Sequence, residues 1–413
     1  MTAGSAPEAT PGLARDPAPA GRTAGQEALD PVRRARAWLS RAVEPGSAEL
    51  YRYVARLGPV EAVRRIRAGQ APASVTALAA GRRDEDQVER DLALARQAGI
   101  RLVVPEDPEW PSWVLLAMEG TVTRGVPDLA PPLALWVRGA RKLDELTDRA
   151  VAIVGARGAT HYGEHVATDL AYRLASRGWT VVSGGAFGID AAAHTGALSA
   201  DGVTAAVIAG GLDRPYPAGN VRLFDRIAES GLLLSEWPPG CAPQRHRFLI
   251  RNRLIAGLVG GTVVVEAGAR SGARQTARRT RELGRPVMAV PGPVTSAMSV
   301  GSHQLIRAGE ARIVANAAEV LEEVGRIGED LAPSAESQPS IDDELDPVSR
   351  RVLDGVPARA AVSPERIARA AGVEVAAVIR CLPALELVGL VESMHGAWRL
   401  TPAARGRSAA GES

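Results

Sequence analysis

The stretch 151–163, VAIVGARGATHYG, is the clearest indication of the fold class of this chain. A strand-like apolar run ends at Gly155, and a helical pattern begins a few residues later. The stretch 181–190, VVSGGAFGID, repeats the order of strand, glycine turn and helix. Glycine lets the main chain approach a ligand closely, and the unpaired N–H groups that open the following helix attract anions. One such loop often serves packing alone, but two on one sheet edge favour a phosphate site.

Apolar, β-rich runs alternate with helical patterns on both sides of these two loops. Such runs are TAAVIAGG at 204–211, GLLLSEW at 231–237, TVVVEAG at 262–268 and PVMAVPG at 286–292. Continuous apolar strands separated by helices predict an α/β fold with a mostly parallel sheet that is covered on both faces. In such sheets the ligand crevice lies beyond the carboxyl ends of the strands, where these glycines cluster.

Composition and periodicity divide the 413 residues into successive segments. We expect a disordered tail over 1–29, a small helical domain over 30–110, the α/β domain over 111–327, a polar linker over 328–346, a winged-helix domain over 347–402 and a disordered tail over 403–413. The winged helix is predicted from a pattern of three helices and a short hairpin.

Bulk composition excludes several classes of protein. No apolar run reaches the ~18 residues of a membrane span, and no secretory signal pattern opens the chain, so we expect a cytoplasmic protein that does not enter a membrane. Cys241 and Cys381 lie far apart, which argues against a disulfide framework. The formal charge of +2 means that any nucleic-acid footprint must be a local patch.

Lys142 is the sole lysine of the chain, so any such patch must consist of arginine, and arginine abundance alone proves little. Arg157 follows the first glycine loop and is expected to point into the crevice. A dense run of arginines lies between Arg245 and Arg285. Within it, RFLIRNRLIAGL carries the RNR triplet of Arg251, Asn252 and Arg253, and SGARQTA carries Ser271, Gly272 and Thr276. Phe248 offers a stacking face, although an aromatic residue in this setting is more often a core anchor.

Catalytic machinery is not evident in the sequence. The chain has no Walker A motif, no HExxH or paired-cysteine pattern and no GxSxG elbow. Asp190 and His194 share a helix face beside the second loop and could form an acid/base pair. The simpler interpretation is that Asp190 caps the helix and orients His194. His161 and His165 are interpreted as surface residues, and we expect no catalytic residue, metal or cofactor.

Eight ordered blocks resemble the signature of the DprA/Smf family: VAIVGARGATHYG, VSGGAFGIDAAAH, VIAGGLDRPYP, LLLSEWPPG, RFLIRNRLIAGL, VVVEAGARSGARQTA, GRPVMAVPG and SVGSHQLIRAG. The resemblance covers about residues 133–325. It implies an extended Rossmann-like domain, flanked by a small helical, SAM-like domain and a winged-helix domain. It also implies a homodimer that binds single-stranded DNA, protects incoming strands and helps load RecA during natural transformation.

The same resemblance implies where the DNA binds. Arg157 corresponds to the family's DNA-contacting arginine, 183–188 to its phosphate-cradling loop, and the RNR triplet to a further contact. Arg274 and Gln275 depart from the family pattern of small or apolar residues. The full set of expected DNA- and phosphate-binding residues is Gly155, Arg157, Ser183, Gly184, Gly185, Gly188, Arg247, Arg251, Asn252, Arg253, Ser271, Gly272 and Thr276.

Two other functions stay open at this point. VGGTVVVEAG resembles the loop of phosphoribohydrolases, with Thr262 and Glu266 in the matching order, which indicates a nucleotide-processing enzyme. Alternatively, the terminal domain could make the chain a regulator that reads duplex DNA. Its presumed recognition helix offers Arg380 against Glu374 and Glu386, so we expect that domain to modulate or to dock on protein instead.

Overall fold

A computed structural model describes residues 24–325, 345–402 and 404 of the chain. The chain divides into two compact units, and the boundary lies between residues 332 and 333. Most of the two predicted tails and of the predicted linker lies outside the described residues. Residues 24–29, assigned above to the first tail, belong instead to the first helix.

The first unit begins with a helical segment, and specific residues mark where its helices begin. Ser47 caps the second helix, since its hydroxyl oxygen accepts a hydrogen bond from the Leu50 amide at 3.2 Å. Pro59 begins the third helix, where its missing N–H leaves no bond unmade. The helices are α1 (Ala24–Ala42), α2 (Ala48–Leu57), α3 (Pro59–Arg67), α4 (Ala73–Ala79) and α5 (Val88–Gln97).

The strands of this unit form one nine-stranded sheet among the described residues. Its strands are β1 (Ile100–Val103), β2 (Leu135–Arg138), β3 (Ala150–Val154), β4 (Thr180–Ser183), β5 (Thr204–Val207), β6 (Leu232–Ser235), β7 (Gly261–Val264), β8 (Val287–Ala289) and β9 (Arg312–Ile313). The order is β1-β2-β6-β5-β4-β3-β7-β8-β9. Strand β2 pairs antiparallel with both of its neighbours, β1 and β6. All other neighbouring strands of the sheet pair in parallel, which confirms the mostly parallel sheet.

Strand β1 lies inside the segment 30–110 that was predicted to be helical. It pairs with β2 at the sheet edge, so the sheet begins before the expected boundary at residue 110. The helical segment is also packed directly on the sheet, because Trp136 of β2 is buried in the same apolar core as Trp38 and Leu39 of α1. The Trp136 indole donates a hydrogen bond to Ser40 at 3.2 Å. Periodicity within one segment carries no information about this shared core.

Further helices cover the sheet: α6 (Ser112–Thr123), α7 (Leu143–Asp148), α8 (His161–Ala175), α9 (Ile189–Ser199), α10 (Val221–Ser230), α11 (Arg245–Gly257), α12 (Gly272–Glu282), α13 (Val300–Arg307) and α14 (Ala317–Val324). Alternate residues of β3 face opposite sides, as the period of a strand requires. Ala152 and Val154 pack in the core that includes α11 and α12. Val151 and Ile153 pack in the core that includes α8 and α9. The strand ends are thereby fixed between two helical layers.

The second unit contains α15 (Pro347–Asp354), α16 (Pro364–Ala371), α17 (Val375–Leu387), β10 (Val391–Met394) and β11 (Ala397–Leu400). This order confirms the predicted winged helix. Asp346, which was expected to end the linker, caps α15 through hydrogen bonds from the amides of Val348 and Ser349. Ala404, which was expected in the second tail, is buried in the core of this unit.

Glu44, in the turn between α1 and α2, joins the helical segment to α11. Its carboxylate accepts hydrogen bonds from Arg82 at 2.9 Å, from the Trp237 indole at 2.9 Å and from Arg247 at 2.7 Å. Burial alone would raise the pKa of Glu44, but the hydrogen bonds from Arg247, Arg82 and Trp237 outweigh it and lower the pKa to about 2. The charged carboxylate therefore stabilises the contact between the two layers.

We expect Glu44→Gln to lower the free energy of unfolding at neutral pH by about 1 to 3 kcal/mol, less than linkage gives for the full lowering of the pKa, because water screens the partly exposed carboxylate. Because the folded pKa lies below the ordinary value of 4.5, the contribution is present above that pH and is lost as pH falls toward 2. Urea denaturation measures the free energy of unfolding of wild type and variant at neutral pH and at about pH 3. The difference between the two proteins should be smaller at the lower pH.

The control is Glu322→Gln on the exposed face of α14, which should change stability by less than ~0.5 kcal/mol at either pH. A difference between wild type and Glu44→Gln that stays constant over this range would contradict the assigned role of the carboxylate.

Candidate nucleic-acid interface

A cleft of about 860 Å³ opens beyond the carboxyl ends of the central strands. It lies between the loop after β3, the loop after β4, one face of α11 and the beginning of α12. This is the edge at which parallel α/β sheets bind ligands. The residues that line it are Val154, Gly155, Ala156, Arg157, Gly158, Ala186, Asp190, Tyr216, Arg245, Phe248, Leu249, Arg251, Asn252, Ile255, Gly268, Arg270, Ser271, Gly272, Ala273, Thr276 and Met298.

The loop after β3 brings Gly155 and Arg157 to this cleft, as the sequence predicts. Gly155 is packed so closely that an added Cβ would lie 2.5 Å from a side-chain atom of Ile189. Arg157 is exposed, and its guanidinium lies 4.9 Å from the ring centre of Phe248. Glycine therefore serves helix packing here, and the arginine beside it presents a positive charge to the cleft.

The loop after β4 differs from the phosphate cradle expected over 183–188. The amides of Gly184 and Ala186 donate to Oδ2 of Asp190, at 3.1 and 3.4 Å, so a carboxylate of the protein already occupies them. The Ser183 hydroxyl is buried and donates to the carbonyl of Ile153. The interpretation of Asp190 as a helix cap is wrong, because it holds the preceding loop.

Glycine in this loop is required by backbone conformation and close contact. Gly185 and Gly188 have φ values of +67° and +71°. An added Cβ at Gly188 would lie 2.4 Å from the carbonyl oxygen of Ala156. At Gly184 it would lie 2.6 Å from Asp190 and 2.5 Å from the guanidinium of Arg251. These residues shape the cleft wall, and Gly184 lines a shallow pocket beside the cleft.

His194 also differs from its expected role as a partner of Asp190. Its Nδ1 lies 2.7 Å from the hydroxyl of Thr204, deep in the interior. Burial lowers the pKa of His194 to about 3, with a smaller contribution from the charge of Arg251, so the imidazole is neutral. Asp190 and His194 therefore do not form an acid/base pair within the described residues.

Arg251 is a buried guanidinium at the base of the cleft. It donates hydrogen bonds to the carbonyl of Gly184 at 2.7 Å and to the carbonyl of Val207. Burial lowers the pKa of Arg251 to about 10, and the charge of Asp190 opposes that effect. Burial likewise raises the pKa of Asp190, which Arg251 opposes. The pair joins α11 to the ends of β4 and β5.

Arg247 and Arg253, both expected to contact DNA, point away from the cleft. Arg247 is buried against the Trp237 ring and donates to Glu44. Arg253 is 1% exposed, forms an ion pair with Glu236 and donates to a backbone carbonyl. The reason is helical geometry, because successive residues point about 100° apart. Each of these two arginines therefore points away from the neighbouring residue that lines the cleft.

The cleft face of α11 follows the helical period, with Arg245, Phe248, Asn252 and Ile255 in line. Asn252 lies at the cleft as predicted, and its amide makes long hydrogen bonds at 3.4 and 3.5 Å to α12. Phe248, interpreted above as a core anchor, is half-buried at the cleft surface, so that interpretation is wrong. Its ring also meets the ring of Tyr216 edge-on, with centroids 5.7 Å apart.

The beginning of α12 supplies the anion-attracting wall of the cleft. Ser271 caps this helix by accepting from the Ala273 amide at 3.2 Å. Gly272 is exposed, and Thr276 lies one turn further along the same wall. N–H groups at a helix start attract negative charge. The departures noted at Arg274 and Gln275 lie outside the cleft lining, so they leave this wall intact.

The dense arginine run from 245 to 285 is mostly committed to partners in the fold. Within the described residues, Arg245, Arg251 and Arg270 of this run line the cleft. Acidic or carbonyl partners hold others: Arg278 with Glu282, Arg279 with Glu282 and Asp128, Arg281 with Glu310, and Arg285 with the carbonyls of Ala256 and Val114. Some of these partners, such as Asp128 and Glu310, come from segments outside the run, so the local sequence does not show them.

Two protein-family models match this chain. A family model described as DNA recombination-mediator protein A matches residues 101–325, more than half of the chain. The chain belongs to the DprA family. A second model, described as the DprA winged helix domain, matches residues 335–397 of this DprA-family chain. The first match begins within β1, in agreement with the place of that strand in the sheet.

Relatives of this DprA-family chain cover most of its length. A putative DNA processing protein DprA of Mycobacterium tuberculosis is 48% identical over 382 residues, which are 92% of this chain and 98% of that protein. The DNA processing protein DprA of Bacillus subtilis is 36% identical over 235 residues, 57% of this chain and 75% of that protein. The X-ray structure of DprA from Streptococcus pneumoniae aligns with a TM-score of 0.57 at 30% identity, over 72% of this chain and 97% of that one.

Several cleft residues of this DprA-family chain were not among the predicted contacts. Arg245 and Arg270 line the cleft and are exposed, and Tyr216 and Met298 complete its walls. Helical spacing could have found Arg245, because it lies two turns before Asn252. Arg270 directly precedes Ser271, the cap of α12, so a search for helix caps could also have found it. The other two reach the cleft from loops that no local pattern orients.

The residues that suggested a nucleotide enzyme have structural partners in this DprA-family chain. Glu266 is buried and accepts hydrogen bonds from the Thr160 amide at 2.9 Å and hydroxyl at 2.6 Å, which fixes the start of α8. Thr262 is buried and bonds the hydroxyl of Thr280 at 2.8 Å. Both lie outside the cleft lining. Within the described residues, moreover, no group of three His, Cys, Asp or Glu side chains could hold a metal ion.

The different settings of two arginines predict different effects of their replacement. Arg253→Met leaves Glu236 buried without its partner and should lower the free energy of unfolding by about 3 to 5 kcal/mol. Arg157→Ala removes an exposed side chain and should lower it by less than ~1 kcal/mol. Urea denaturation of both variants measures this; equal effects would contradict the assignment of Arg253 to the interior and Arg157 to the cleft.

Proposed function

We propose that this chain binds single-stranded DNA in the cleft and acts as a recombination mediator that delivers the strand to RecA. The observation that carries the proposal is the convergence of Arg157, Arg245 and Arg270, all exposed, with the open start of α12. Phosphates need both kinds of group: guanidinium donors and backbone amides at a helix start. The facing acid, Asp190, is compensated by Arg251.

The binding set that this proposal assigns is smaller than the one predicted from sequence. Arg157, Asn252, Ser271, Gly272 and Thr276 stay in it, since they line the cleft. Gly155 and Arg251 shape its floor. The remaining predicted residues support the site from within the fold.

Single strands are favoured over duplexes by the ring beside the arginine. Phe248 and Arg157 place an aromatic face and a guanidinium plane next to each other, and unstacked bases stack on such planes. Bases inside a duplex are already stacked and paired, so they cannot use this surface. Neither contact reads a base edge, and we therefore propose binding with little sequence preference.

The cellular role rests on the family description of a recombination mediator. We propose that the chain works as a homodimer in the cytoplasm, protects incoming strands and helps RecA replace strand-coating proteins during natural transformation or general recombination. Among the described residues no helix is long and apolar enough to span a bilayer. Membrane attachment through such a helix forms no part of the proposal.

Arginines at the cleft should govern affinity for an oligo-dT. We expect Arg157→Ala and Arg270→Ala each to weaken binding by about 1 to 3 kcal/mol, the scale of a charge-assisted hydrogen bond. Each lost phosphate contact should also reduce the salt slope by roughly 0.7, because fewer counterions are released. Fluorescence anisotropy across a salt series measures both quantities.

The matched control is Arg177→Ala, an exposed arginine after α8, which lies at the opposite edge of the sheet. It should leave affinity and salt slope unchanged. If Arg177→Ala weakens binding as much as the cleft variants do, the DNA is held by diffuse surface charge, and the cleft is not the site.

Delivery to a recombinase gives a separate prediction. Adding the chain to RecA and strand-coating SSB on single-stranded DNA should shorten the lag before filaments form, and Arg157→Ala should shorten it less. Stopped-flow fluorescence of labelled SSB measures the lag. An unchanged lag with wild-type chain, under conditions in which it binds the DNA, would reject the mediator role and leave the binding role standing.

A further inference from the structure

Two exposed aromatic side chains lie beside the cleft. Phe187 is 49% exposed and Tyr216 is 48% exposed. The chain contains three phenylalanines, five tyrosines and seven tryptophans, which are only 4% of its residues, and two of the phenylalanines line one pocket here. With Arg157 and Phe248 they line a shallow pocket that adjoins the cleft. Scattered apolar side chains need no explanation, but clustered exposed ones mark binding surfaces.

The loop that carries Phe187 is held by polar contacts on two sides. Asn220 donates to the carbonyls of Gly185 at 3.0 Å and Ala186 at 3.3 Å, and Asp190 accepts from the amides of this loop. These bonds hold the main chain directly before Phe187 and leave its ring exposed to solvent. A held aromatic face that remains open to solvent is suited to a flat ligand, because little conformational entropy is lost on binding.

The segment that carries Tyr216 is connected to the same loop. Asn220 follows Tyr216 by one short turn of 3-10 helix, Ala218–Asn220, so its hydrogen bonds join both aromatic residues. The Phe187 ring lies against Gly219, where an added Cβ would be 3.0 Å from Cζ. Tyr216 in turn contacts Phe248 edge-on. The three aromatic residues therefore line one pocket that adjoins the cleft.

We propose that Phe187 and Tyr216 form a stacking shelf for an unpaired nucleobase. The inference rests on the proposed function, since the strand's phosphates must lie in the cleft. Arg157 borders both the cleft and the shelf, so one guanidinium faces the backbone on one side and the base on the other. Stacking uses the π-face that every base has, so the shelf accepts all four bases.

The test compares an oligo-dT with an abasic oligonucleotide of equal length, which keeps the phosphates and lacks the bases. Phe187→Ala and Tyr216→Ala should weaken binding of the oligo-dT on the order of 5-fold to 100-fold. Both should leave affinity for the abasic strand within about 2-fold. Tyr216→Phe keeps the ring and should behave as wild type. Phe187→Leu keeps apolar bulk without a π-face and should resemble Phe187→Ala.

Tyr172→Ala is the matched control, because this tyrosine of α8 is 47% exposed at another surface. It should change neither affinity. The shelf is rejected if Phe187→Ala and Tyr216→Ala weaken both strands equally, if they weaken neither, or if Phe187→Leu binds oligo-dT as wild type does. If wild type binds neither strand, the proposed function fails. Thermal denaturation checks that each variant is folded. Where a variant is unfolded, the test uses wild type and an oligonucleotide that contains 2-aminopurine, whose fluorescence must be quenched on binding if the shelf exists.

Discussion

The buried guanidinium of Arg251 is the interaction on which the cleft depends. It reaches from α11 to the carbonyl oxygens at the ends of β4 and β5, and it lies beside the carboxylate of Asp190. Breaking such a pair leaves an uncompensated charge in the interior, which costs far more than the pair contributes. Helix, strand ends and glycine loop are therefore held in one arrangement, and the surface groups of the cleft are placed relative to it.

This arrangement divides the arginines into two functions. Those that point inward, such as Arg247 and Arg253, meet carboxylates from Glu44 and Glu236 and connect layers of the fold. Those that point outward, such as Arg157, keep their charge for a ligand. An inward arginine loses its solvent and needs a fixed partner, whereas an outward one is screened and can exchange partners. Arginine content alone therefore says little about DNA affinity.

The aromatic residues add a second kind of binding surface beside the outward-pointing arginines. Phe248 and Tyr216 meet at the cleft, and Phe187 lines the adjoining pocket with them, on a loop that Asn220 and Asp190 hold. Gly219 leaves room for the Phe187 ring. A surface built in this way can bind phosphates and bases side by side, which is what an unpaired polynucleotide presents and a duplex does not.

The mostly parallel sheet, the two glycine loops and the winged helix could be predicted from the amino-acid sequence, because apolar periodicity and glycine act locally along the chain. The sequence also placed Arg157 and Ser271 in the binding site, each a few residues beyond a strand. Three features became visible only in the folded chain: the amides beside Ser183 bind Asp190, Arg247 is buried, and Phe248 faces the cleft. Those outcomes depend on partners distant in sequence, such as Glu44 for Arg247, and on the direction in which each helical residue points once the layers have packed.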